Sequence, residues 1–141
     1  MSYRVIQWAT GTVGIHAVPA IAEHPDLELV GLWVHSDDKA GRDAGEICGG
    51  DPVGVIATQD ADALIASDAD CICYTANSDL RPDGVVDDIC RMLAAGKNVV
   101  NTSFVPLLSP KAAGFYDRLQ AACLEGGSSF YCSGIDPGYR Q

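Results

Sequence analysis

The stretch that decides the fold is W-A-T-G-T-V-G, Trp8 to Gly14, directly behind the apolar residues Val5 and Ile6. Tyr3 to Trp8 reads as a short strand. Gly11 to Glu23 reads as a helix with apolar positions at Val13, Ala17 and Ile21. A pyrophosphate held between such elements needs close backbone approach and free N–H groups at the helix start. Gly11 supplies the approach, Thr12 and Val13 the N–H groups, and Gly14 the clearance for the helix to pack on the sheet. The full fingerprint is G-x-G-x-x-G, and Ala9 stands where its first glycine belongs. The residues therefore allow a dinucleotide loop or a plain strand-to-helix turn, and the strand before and helix after favour the loop.

Pro19 lies inside the first helical pattern and predicts a kink or an early end near Val18. His24-Pro25-Asp26 breaks the chain before a second strand, Leu27 to Val34. Glycines from Gly41 to Gly54 make the next stretch loop-rich, with one helical turn around Asp43 to Ile47. Val55-Ile56 reads as a short third strand and Asp60 to Ser67 as a helix. Asp70 to Thr75 reads as a buried strand, and Asp83 to Ala95 as a helix closed by Gly96. Lys97 to Asn101 is the next strand. Ser109 caps a helix that starts at Pro110 and runs to about Leu124, before a last strand, Ser128 to Cys132.

Strands apolar on both faces, alternating with helices, predict an α/β fold: a doubly wound parallel sheet of about six strands with helices on both faces, of the Rossmann type. Residues 1–141 form one dinucleotide-binding domain in this reading. Ligands of such sheets lie at the carboxyl ends of the strands. Those ends are Ala9-Thr10, His35-Ser36, Thr75-Ala76-Asn77 and Asn101-Thr102.

Composition narrows the partners. The 141 residues carry 19 Asp+Glu against 9 Lys+Arg, a net charge of -10, which argues against a nucleic acid because a polyanion needs a basic face. No apolar run approaches the roughly 18 residues of a membrane span, and no secretory leader is read at the start. The 6 cysteines form neither C-x-x-C nor a zinc-finger spacing, so no metal site is expected. They read as small buried thiols in a reducing cytoplasm, with Cys71 and Cys73 on one strand face. His16 and His24 read as surface residues, Tyr74 as a packing aromatic before a proton donor, and Asp136 as a turn former or a residue facing a substrate. Ser103 lacks the G-x-S-x-G elbow of a serine hydrolase.

Cofactor choice is read at the end of the second strand, where an acid would bind the ribose 2′-hydroxyl of NAD. Val34-His35-Ser36 is not acidic, and His35 and Ser36 suit a 2′-phosphate with Lys39 or Arg42 adding charge. NADP is therefore favoured, while Asp37 and Asp38 keep NAD open.

W-A-T-G-T-V-G resembles the glycine loop of the dihydrodipicolinate reductase family, usually G-A-x-G-R-M-G, which also has alanine at the place of Ala9. G-R-D-A-G-E-I-C-G, Gly41 to Gly49, is similar to that family's G-x-D-A-G-E-L-A-G. G-K-N-V-V-N-T-S, Gly96 to Ser103, looks like its fifth-strand segment. S-G-I-D-P-G, Ser133 to Gly138, resembles relatives that include 2,4-diaminopentanoate dehydrogenase and NAD(P)H-dependent amine dehydrogenases. The resemblance implies the nicotinamide-dinucleotide domain of an oxidoreductase that transfers hydride to a C=N or C=O substrate. It implies that Gly11, Thr12, Val13 and Gly14 meet the pyrophosphate, beside Ala9 and Thr10, and that His35 and Ser36 meet the adenosine ribose. Thr75, Ala76, Asn77, Asn101 and Thr102 would line the nicotinamide side. Family members add a substrate-binding and dimerising domain, expected to be absent from a chain that stops at Gln141, and homo-oligomers are expected. The amine dehydrogenases carry a catalytic glutamate after the fifth-strand motif, where this chain has Phe104 and Val105. No catalytic acid or base is assigned, and a stand-alone nucleotide-binding or regulatory module is the alternative to an enzyme.

Overall fold

The computed structural model describes residues 3–10, 14–75, 82–101 and 112–132, along which six strands and five helices alternate. They group into two compact units, Met1–Ala76 and Asn77–Gln141.

The first unit runs β1 (Tyr3–Trp8), α1 (Gly14–Glu23), β2 (Leu27–Trp33), α2 (Ala44–Ile47), β3 (Ala57–Thr58), α3 (Ala61–Ile65) and β4 (Cys71–Tyr74). β1 pairs in parallel with β2, from Tyr3 opposite Leu27 to Trp8 opposite Trp33, and with β4, from Val5 opposite Cys71 to Trp8 opposite Tyr74. β3 pairs in parallel with the outer edge of β2, so the order in this unit is β3-β2-β1-β4. Neighbouring strands of one direction need crossovers, and the helices supply them.

Strand alternation sorts the core onto two faces. Val5, Leu29, Leu32 and Val34 pack with Val18 and Ile21 of α1 and Ala44 of α2. Ile6 lies on the opposite face, where a side chain at Gly31 would come within 2.7 Å of Leu64 on α3. Helices thus cover both faces of this unit, as the unbroken apolar strands predict. At the carboxyl ends Trp8 stacks between Trp33 (centroids 5.0 Å apart) and Tyr74 (6.2 Å), a ladder across three strands. Such pairs add about 0.5–1.5 kcal/mol each beyond their burial.

The first helix reaches Glu23, as its apolar period predicts, and passes through Pro19 without the early end near Val18. The proline removes one N–H, but Val18 and Ile21 on either side of it are buried, and their packing holds the turn. The third strand is Ala57–Thr58, not Val55-Ile56. The backbone just before it is taken by the glycine-rich loop: Ala44 N–H donates to the Val55 carbonyl at 2.7 Å, and Ile56 bridges Asp43. Ile56 stays exposed, whereas Ala57 is buried against Leu32.

The second unit contains α4 (Pro82–Ala94), β5 (Asn98–Asn101), α5 (Ala112–Gly126) and β6 (Phe130–Cys132). β5 and β6 are parallel, with Val99 opposite Phe130 and Asn101 opposite Cys132. Val86, Ile89, Met92, Leu93, Val99, Leu119 and Ala122 form its buried apolar set. Gly96, at φ 90°, closes α4 in the left-handed conformation that glycine tolerates. Arg118 of α5 pairs with Asp87 of α4 on the exposed side. The expected start at Ser109-Pro110 lies outside the described residues. No helix among the described residues is long and apolar enough to cross a membrane.

Candidate functional site: the carboxyl edge of the first unit

The end of β1 is built by a buried polar cluster. Ala9 has φ 82°, among the described residues the one non-glycine residue with positive φ. The backbone therefore keeps the shape that the missing first glycine would take freely, and alanine holds it under strain. Gln7, fully buried in an otherwise apolar strand end, donates from Nε2 to the Ala9 carbonyl at 2.8 Å and to Thr75 Oγ1 at 2.9 Å. Thr75 Oγ1 lies 3.1 Å from the Trp8 carbonyl and 3.3 Å from that of Ala9, and donates to this pair. The Ala9 N–H is held by the Trp33 carbonyl at 2.8 Å and the Thr75 N–H by the Trp8 carbonyl at 3.1 Å.

Gly14 opens α1 directly over this cluster. A Cβ on it would overlap the Ala9 carbonyl oxygen and lie 2.7 Å from Thr75 Oγ1. The clearance expected of Gly14 is thus clearance from two named groups, and it brings the start of α1, with its helix dipole, onto the strand ends.

A cation stands beside this edge. Lys39 Nζ donates to Thr10 Oγ1 at 3.0 Å and lies 3.4 Å from the Thr10 carbonyl. The turn after β2 carries it there: Lys39 and Ala40 N–H groups both donate to the Ser36 carbonyl at 3.2 Å, and Ser36 Oγ accepts the Asp38 N–H at 3.1 Å. His35 is exposed, its ring tilted against Trp33 at 6.2 Å. Asp37 is engaged by Gln59, whose Nε2 donates to its Oδ1 and to the His35 carbonyl, both at 3.0 Å. Arg42 is exposed and its carbonyl accepts the Ala57 N–H at 2.8 Å.

The glycine-rich segment after β2 is tied by one carboxylate. Asp43 caps α2, accepting the N–H groups of Gly45 at 2.7 Å and Glu46 at 3.4 Å, and it also accepts those of Val53 at 3.0 Å and Gly54 at 2.9 Å. Its pKa is held below 3.8 by the Val53 N–H first, against partial burial, with Gly54, Gly45 and Glu46 adding to the effect. D-A-G-E is the sequence sign of this cap, an aspartate with glutamate three residues on. A Cβ at Gly45 would overlap the Asp51 carbonyl, so the loop also needs glycine there.

Of the residues expected at a cofactor, Ala9, Thr10, Gly14 and Thr75 are brought together here. His35 and Ser36 follow β2, whose Trp33 is bonded to Ala9. Asn101 is buried at the end of β5 in the second unit. Gly11, Thr12, Val13, Ala76, Asn77 and Thr102 lie outside the described residues, as do Ser103, Phe104, Val105 and Asp136. Gln7 was not among the expected residues, although a lone amide in V-I-Q-W was its visible sign. Tyr74 packs on Trp8, and His16 and His24 are exposed, as read from the sequence.

Four of the thiols are not activated. Burial raises the pKa of Cys48, Cys71 and Cys90, and pushes Cys73 up to about 11 with the Cys71 thiol adding to the effect. Cys48, Cys71, Cys73, Cys90 and Cys123 are all free.

Comparison with known proteins agrees with this geometry. The family described as "Dihydrodipicolinate reductase, N-terminus" matches residues 5–102. An amine dehydrogenase of Streptomyces virginiae is 41% identical over 137 residues, covering 95% of this chain and 38% of that protein. The structure of an amine dehydrogenase from Mycobacterium smegmatis superposes with a TM-score of 0.76 at 24% identity, over 92% of this chain and 38% of the other. A 3-ketoreductase from Actinomadura kijaniata, in complex with NADP, superposes with a TM-score of 0.68 at 25% identity, over 94% and 38%. The chain spans less than half the length of each of these proteins. These likenesses bear out the doubly wound Rossmann-type fold. With its glycine loop, its strained Ala9 and its match over residues 5–102, the chain belongs to the dihydrodipicolinate reductase family as an N-terminal, NAD(P)-binding domain.

Proposed function

We propose that the chain, as one dinucleotide-binding domain, holds NADP at the carboxyl edge of β1, β2 and β4 for an oxidoreductase that reduces a C=N or C=O bond. The observation that carries this reading is Lys39 Nζ, 3.0 Å from Thr10 Oγ1 at the strand end that leads into the glycine loop. A cation there, beside Ser36 and His35, suits a phosphate dianion on the ribose. Of the two acidic residues at this turn, Asp37 is already bonded to Gln59. The residues fit a dinucleotide: Gly14 leaves the helix N-terminus close to the strand ends, where a pyrophosphate is stabilised by N–H groups and the helix dipole. The proposed pyrophosphate contacts are Gly11, Thr12, Val13 and Gly14, with Thr75, Ala76, Asn77, Asn101 and Thr102 toward the nicotinamide. The bound cofactor would supply the hydride, and the chain's part is to bind and orient it. The 3-ketoreductase solved with NADP and the amine dehydrogenases supports this class of reaction. A reducing, cytoplasmic setting is proposed on the free thiols.

Calorimetric titration with NADPH, NADP, NADH and NAD tests the reading. NADPH should bind more tightly than NADH, and Lys39→Met should weaken NADPH by about 10- to 100-fold, the worth of one charge-assisted bond, while changing NADH little. Saturation by none of the four at millimolar concentration would overturn the cofactor assignment. NADH binding as tightly as NADPH would overturn the preference alone.

A further inference from the structure

Gln7 is an anomaly of the core. It sits in β1, an inner strand of the first unit, at 0% exposure, between Ile6 and Trp8, where the pattern calls for an apolar side chain. Its Oε1 is buried with no hydrogen-bond partner. An orphaned acceptor of this kind costs stability, and an apolar residue of similar shape would avoid the cost. A residue kept against the folding balance points to function.

What the amide does is hold one carbonyl. Nε2 reaches the Ala9 oxygen at 2.8 Å and Thr75 Oγ1 at 2.9 Å, and Thr75 Oγ1 in turn lies within 3.3 Å of the same Ala9 oxygen. Ala9 is the residue at φ 82°, strained because it has a Cβ. Its carbonyl also faces Gly14 at the start of α1. The peptide that joins strand to glycine loop is thus clamped from below by two side chains in a conformation that alanine would otherwise tend to leave.

We infer that Gln7 and Thr75 are positioning residues for the dinucleotide: they hold the Ala9 peptide in its left-handed conformation, so that the end of β1, facing Gly14, is set for the pyrophosphate before the cofactor arrives. The inference rests on the cofactor reading above and adds the device that shapes the site. Presetting removes an ordering cost from binding, so its loss appears in affinity.

The test is a double-mutant cycle on the 141-residue chain, read by calorimetry with NADPH and, separately, by urea unfolding. Gln7→Met should weaken NADPH about five- to tenfold, the worth of roughly one hydrogen bond, with an unfolding midpoint at or above wild type because the orphaned acceptor is gone. In an Ala9→Gly background the same substitution should cost less than about twofold, since glycine adopts positive φ without a clamp. Thr75→Val should weaken binding similarly and Thr75→Ser should restore it, which keeps the test open if the Gln7 variant does not fold. Equal losses in the two backgrounds, unchanged affinity in both Gln7→Met and Thr75→Val, or a loss that only follows a lowered unfolding midpoint would each overturn the inference. If wild type itself fails to bind NADPH, the cofactor reading falls, and this inference with it.

Discussion

Replacing Ala9 by glycine should stabilise the protein, against the general rule that glycine weakens a folded chain. The perturbation removes one methyl group from a residue held at φ 82°. For an L-residue the left-handed region costs roughly 1–2 kcal/mol, because Cβ crowds the backbone. Glycine is free of that cost but gains about 0.4–1 kcal/mol of unfolded-state entropy. The difference favours the variant by about 0.5–1 kcal/mol. With a urea slope near 2 kcal/mol/M for a chain of this size, the midpoint should rise by roughly 0.3–0.5 M. The thermal midpoint should rise by about 2–4 °C. Tryptophan emission is the suitable probe, because both tryptophans, Trp8 and Trp33, lie stacked in the first unit one residue away from the substitution or across the strand from it. A midpoint that stays the same or falls would refute the claim that Ala9 is strained, and with it the account of how an alanine occupies the first fingerprint position.

Gly14→Ala should leave the chain folded but cost about 100-fold in NADPH affinity, because α1 must retreat by about an ångström from the Ala9 carbonyl and Thr75; calorimetry showing affinity within twofold of wild type would count against the placement of the loop. Asp43 has a depressed pKa, so its stabilisation is complete above the unfolded value of 3.8 and is lost as pH falls through the lower folded value. Wild type should therefore lose stability below about pH 4 more steeply than Asp43→Asn, which urea midpoints measured between pH 5 and pH 2 would check. Cys73, pushed up to about 11 from 9.0, favours folding while it is protonated, and that contribution is lost between pH 9 and pH 11. Iodoacetamide at pH 8 should leave Cys73 unmodified in the native chain and alkylate it in urea, as mass spectrometry of its peptide would show.

Much of the fold was legible because it rests on short-range rules. Alternating apolar runs and helical periods placed the described elements other than β3, and the punctuation by Gly96 and Asp60 placed helix ends to within a residue or two. Where local signals competed or misled, a longer-range interaction decided. Pro19 did not end α1, because Val18 and Ile21 are buried together on the sheet. Val55 and Ile56 did not form the strand, because Asp43 and the loop around it claimed their backbone.

The site divides in the same way. The sequence by itself determined the chemistry of the turn: glycines for close approach at the head of a helix, an alanine at the first fingerprint position, and polar residues with Lys39 after the second strand. These are properties of residue type and spacing, and they need no third dimension. Only the tertiary structure decided what those residues touch. It set Lys39 on Thr10 across 29 positions of sequence, and it joined Gln7 to Thr75 across 68. Parallel pairing of β1 with β4 brings Thr75 beside Trp8 and Ala9, and only there does a buried glutamine find a carbonyl to hold. Local pattern names the groups, and the sheet register determines which of them meet.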